Sequence, residues 1–61
     1  MTEQRACDLA RRRAREVGLI HFVVYAPEDA EVPERGYFVA EERDLDGFYA
    51  GCQVVAAWDG R

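Results

Sequence analysis

The sequence predicts an α+β domain in which one N-terminal helix packs across a three-stranded antiparallel sheet, in the order αβββ. Three observations carry this. Residues 3–17 hold a helically spaced apolar stripe between Thr2 and Gly18. Residues 19–26 are an unbroken β-branched and aromatic run. Residues 36–58 contain two apolar-rich runs separated by Asp46-Gly47. An Asp-Gly pair in that setting is the strongest short-range hairpin signal, because the favoured turn needs positive φ at both central residues.

The helix is expected over residues 3–17. Thr2 is a good N-cap, Glu3 favours the positive end of the dipole, and Gly18 can close the C-terminus in a left-handed conformation. At about 100° per residue, Ala6, Cys7, Leu9, Ala10, Ala14 and Val17 share one side. These side chains are small, so the helix can lie close to a sheet. Arg13 interrupts the stripe, and its stem can cover apolar surface while its head stays in water. On the opposite side Asp8 can pair with Arg5, Arg11 and Arg12, and Glu16 with Arg12 and Arg13.

The first strand, 19–26, is apolar on both faces apart from His21, which suits a central or doubly covered strand. Pro27 ends it, since proline cannot donate to the ladder. Residues 27–36 form a loop with both prolines and the acids Glu28, Asp29, Glu31 and Glu34. The remaining strands are expected over 36–44 and 48–58, folded on each other at Asp46-Gly47. That register sets Leu45 opposite Phe48, Val39 opposite Val54, and Tyr37 opposite Ala56. Gly51 is the expected place for a bulge. Glu41, Glu42, Asp44 and Asp46 then crowd the hairpin tip.

The 61 residues read as one domain, 1–61, with no repeat, linker or low-complexity tract. A chain this short buries only about 60% of its unfolded surface, so a disulfide, a metal or a partner usually supports it. Cys7 and Cys52 allow at most one disulfide, and with a single histidine the usual four-ligand zinc site cannot be built. A partner chain is left as the expected support. No apolar run approaches the ~20 residues of a membrane span. The N-terminus lacks the apolar core of a secretion signal. A cytoplasmic protein with reduced thiols is the expectation.

Twelve acids face eight arginines, with no lysine, for a net charge of −4. Residues 1–17 carry five arginines and three acids, whereas 18–60 carry nine acids and two arginines. Such asymmetry suits a partner with its own charge pattern.

Catalytic chemistry finds little support. There is no serine, and the only threonine is the helix cap. Cys52 and His21 could form a dyad only if the fold brought them together. Paired carboxylates need a cleft that splits their pKa values, and here they fall in loops. Asp44-Leu45-Asp46-Gly47 resembles the start of a calcium loop, but the closing glutamate is replaced by Val55. No cofactor, metal or catalytic group is expected.

Two binding surfaces remain. Glu28, Asp29, Glu31, Glu34, Glu41, Glu42, Asp44 and Asp46 could present a field like that of a phosphate chain to a basic protein. The sheet face away from the helix would expose Ile20, Phe22, Val24, Phe38, Tyr49 and Val55, or else the alternating set on the other face, a patch suited to a homodimer or another protein. The expected function is therefore stoichiometric binding: inhibition or modulation of a basic, nucleic-acid-binding protein. Small acidic proteins of this build occur among phage and mobile-element inhibitors, including anti-CRISPR proteins; the analogy is one of size and charge. The alternatives are a nucleic-acid-binding regulator using Arg5, Arg11, Arg12 and Arg15, which the acidic balance disfavours, and an accessory subunit of a larger complex.

Overall fold

The computed structural model describes residues 1–60. Helix α1 spans Glu3–Val17, and strands β1, β2 and β3 span His21–Tyr25, Tyr37–Glu41 and Gln53–Trp58. A short helix α2, Glu42–Asp46, follows β2, and two single 3₁₀ turns, Pro27–Asp29 and Pro33–Arg35, occupy the β1–β2 connection. The fold is the expected α+β arrangement of one long helix on an antiparallel three-stranded sheet.

Both ends of α1 form as the sequence predicts. Thr2 has extended backbone and its Oγ1 accepts from Arg5 N at 3.3 Å. Gly18 sits at φ 71°, and its N–H donates to Ala14 O at 2.9 Å. The buried stripe is narrower than expected. Ala6, Ala10 and Ala14, one turn apart, are fully buried, while Val17 is 58% exposed. An all-alanine ridge lets the helix settle close to the sheet, where Ala6 and Ala10 meet Val23, with Cys7, Tyr37, Val39, Ala56 and Trp58 around them.

The sheet order is β2-β1-β3. β1 is central, as its two apolar faces require, and pairs antiparallel with both neighbours. Val23 lies opposite Val39 on one side and Ala56 on the other. The expected hairpin between the last two strands is therefore wrong: they occupy opposite edges and never pair. The reason is local. Residues 42–46 are charged and turn into α2 rather than extending a strand. Asp44 Oδ2 accepts from Glu41 N at 3.0 Å, which fixes the first turn. Gly47 then has φ −116°, outside the region the tight hairpin turn demands. Its N–H and that of Tyr49 both donate to Asp44 O, at 3.3 and 2.8 Å.

The strand bounds shrink accordingly, from 36–44 and 48–58 to Tyr37–Glu41 and Gln53–Trp58. β1 loses Leu19 and Ile20, which precede the ladder. The irregularity expected at Gly51 instead falls at Val55, which is skipped as Val54 pairs Val24 and Ala56 pairs Val23. Gly51 has φ 83° but lies in the turn before β3.

Residues 42–52 must carry the chain from one edge of the sheet to the other. They cross the face opposite α1. Val24 and Ala40 alternate with the helix-facing Val23 and Val39, yet they too are buried, at 0% and 1% exposure. Tyr49, within the crossing segment, stacks on Phe38 of that face at 5.8 Å between ring centroids. So the core has two thin layers, one on each side of β1.

Candidate functional site

The crossover is where aromatic and acidic side chains meet. Phe48 and Tyr49 follow α2, and their rings touch edge to face at 4.8 Å and 85°. Tyr49 is held down by Phe38, whereas Phe48 is 76% exposed, the most exposed of the large apolar side chains. Burial raises the Tyr49 phenol above its ordinary pKa, and the carboxylates of Asp29 and Asp44 raise it further.

The eight acids singled out from the sequence separate into two groups. Glu28, Asp29, Glu31 and Glu34 of the loop, and Glu42 and Asp46 of α2, are exposed. Glu41 and Asp44 are half-buried and already engaged. Asp44 caps α2. Glu41 Oε2 is 3.1 Å from Arg43 Nε, and its Oε1 is 3.9 Å from Nε2 of His21. His21 is only 3% exposed, and its Nδ1 donates to Leu19 O at 2.9 Å, since a carbonyl can only accept.

The apolar face changes more. Val24 is fully buried and belongs to the core, not to a docking surface. Phe22, Phe38 and Tyr49 are half-buried, and the crossover accounts for the contact between the last two. Ile20 and Val55 are exposed, at 47% and 36%. Phe48 was not singled out from the sequence, because the hairpin register made it an ordinary strand residue. Its signal was the step from a run of five charged residues, interrupted only by Leu45, to an aromatic pair just after Gly47.

Cys52 precedes β3 beside Gln53, which pairs with Tyr25, while His21 starts β1. Four residues of strand separate the two ends, roughly 13 Å at 3.3 Å per residue, so the dyad does not assemble. Both thiols are free. Among the described residues, no group of three or more His, Cys, Asp or Glu is placed to hold a metal ion, and no helix is long and apolar enough to cross a membrane.

The arginines of α1 remain on the surface. Arg5, Arg11, Arg12, Arg13 and Arg15 are all exposed, interspersed with Asp8 and Glu16. Arg11 lies over the Trp58 indole at 5.9 Å from its centroid. Trp58 Nε1 is buried without a hydrogen-bond partner. The depressions along this helix are open and shallow, one of about 350 Å³ lined by Met1, Arg5, Asp8, Leu9 and Arg12.

No family model, no curated protein and no solved structure matches the chain.

Proposed function

We propose that this chain is a small, acidic, non-enzymatic binding module that acts stoichiometrically, inhibiting or modulating a basic, nucleic-acid-binding protein. The observation that carries the reading is the exposed Phe48 ring, braced by Tyr49 and following directly on α2, which presents exposed Glu42 and Asp46. Binding energy concentrates in a few aromatic anchors, and surrounding charge steers the encounter. A partner with an apolar pocket rimmed by lysine or arginine complements such a surface. The free thiols suit a reducing compartment.

The test is capture of partners by the tagged chain, followed by titration of the purified partner with wild type and variants. Phe48→Ala, and Asp46→Lys with Glu42→Lys, are expected to weaken binding by at least about tenfold, the scale of a truncated anchor. Arg12→Ala leaves it unchanged. Binding that ignores the first variants and collapses with the arginine variant overturns the reading. It would favour the second one, a nucleic-acid regulator using the exposed arginines of α1. That alternative requires a gel shift whose affinity falls steeply with salt.

We also infer that the chain self-associates. It has few residues with which to bury apolar surface, yet it exposes Val17, Leu19, Ile20, Val54 and Val55.

A further inference from the structure

The two edges of the sheet are unlike. The β2 edge is already occupied at one end by the N-terminus: Tyr37 N donates to Met1 O at 3.2 Å, and the Met1 ammonium donates to Arg35 O at 2.7 Å. The other end of β2 carries Glu41 and runs into α2. Both features stop a further strand from adding there. The β3 edge has neither. Its six residues, Gln53 to Trp58, include no charge and no proline, and the sequence is uncharged all the way from Gly47 to Trp58. β3 has only β1 as a neighbour, so on either side of the irregularity at Val55 alternate backbone N–H and C=O groups face outward. Val54 and Val55 are exposed at 44% and 36%.

Charge is segregated the same way. The eight acids from Glu28 to Asp46 lie in the β1–β2 connection, at the end of β2, or in α2, which packs against β2. Two copies approaching through β2 would bring these acids together. Two copies approaching through β3 keep Glu41 and the acids of α2 at the far edges, and only Glu28 and Asp29 lie near β3, beside its Gln53 end.

We propose that β3 pairs antiparallel with β3 of a second copy, joining two three-stranded sheets into one of order β2-β1-β3-β3-β1-β2. This rests on the self-association read above and names the surface responsible. Antiparallel pairing of identical edges requires a two-fold axis normal to the sheet. Both α1 helices then lie on one side of the joined sheet and both crossovers on the other, so the two Phe48 surfaces face the same way. The exposed Val54 and Val55 side chains sit near the axis.

Sedimentation or light scattering measures the mass of wild type, Val55→Lys, Val54→Lys and, as a control, Phe48→Ala. Wild type and Phe48→Ala are expected at twice the 7.0 kDa of one chain. The lysine variants are expected to need at least about tenfold more protein to dimerise, because a charge on an edge strand opposes pairing. Hydrogen exchange supplies a readout that needs no variant: β3 amides gain protection as concentration rises, and β2 amides do not. A monomeric wild type overturns both the edge pairing and the self-association. A dimer that both lysine variants preserve, or one whose concentration-dependent protection lies elsewhere, overturns the edge pairing alone.

Discussion

Replacing Gly36 by alanine tests how tightly the acidic loop is closed. Gly36 is buried, and its φ of −82° is open to any residue, so backbone strain plays no part. Space does. A Cβ there would lie 2.6 Å from Pro27 Cα, 3.0 Å from Pro27 N and 3.2 Å from Pro33 O. All three are backbone atoms, so no side chain can swing aside. Relief requires the two ends of the loop to part, which strains the 2.7 Å bond from Ala26 N to Gly36 O. Overpacking of this kind costs about 1–3 kcal/mol, and a weakened hydrogen bond adds about 1. Restricting the unfolded chain returns about 0.4–1 kcal/mol, leaving a loss of about 1–3.5. A domain of this length has about 3–9 kcal/mol in total, and each kcal/mol lowers Tm by about 4–8 °C. Urea unfolding followed by the single tryptophan, Trp58, reads the change directly. A loss below about 0.5 kcal/mol, the scale of an ordinary surface substitution, would refute the packing argument. Gly18→Ala is the contrast, since a Cβ there meets nothing within 4 Å and only the positive φ opposes it.

Val23→Ala removes a fully buried side chain from beneath α1 and is expected to destabilise by about 2–3 kcal/mol in the same urea assay. Phe48→Ala is expected to change stability by less than about 1 kcal/mol, because the ring is mostly in water. Alkaline pH separates folded from unfolded through Tyr49. Its folded pKa is raised by burial and then by Asp29 and Asp44, so above about pH 10 the unfolded chain holds fewer protons than the folded one. Stability therefore falls as pH rises through the unfolded tyrosine value and on to the folded one. Tyr49→Phe should shallow that decline, as measured by unfolding at successive alkaline pH values.

The helix and the central strand were legible because their signals are local and agree. Thr2 and Gly18 mark the ends of α1, and the run from His21 to Tyr25, apolar on both sides, belongs between two neighbours. The order of the outer strands was not legible. Asp46-Gly47 is a hairpin signal only if the residues before it extend, and here Asp44 caps Glu41 and closes a helical turn instead. That one local competition moved β3 to the opposite edge. The same change displaced the candidate site. The acids are plain in the sequence, but the influence of both Asp29 and Asp44 on Tyr49 depends on the crossover, and so does the exposure of Phe48. The N-terminal residue completing the β2 edge left no sequence signal, because its contacts are made by backbone alone.

Everything proposed for this chain depends on β1 lying between the other two strands. Cross-strand nuclear Overhauser contacts decide that. The structure requires Val23 to contact both Val39 and Ala56, with Tyr49 near Phe38. Contacts between Val39 and Val54, continuing to Leu45 and Phe48 around Asp46-Gly47, would instead establish the hairpin and remove both the crossover and the surface built on it.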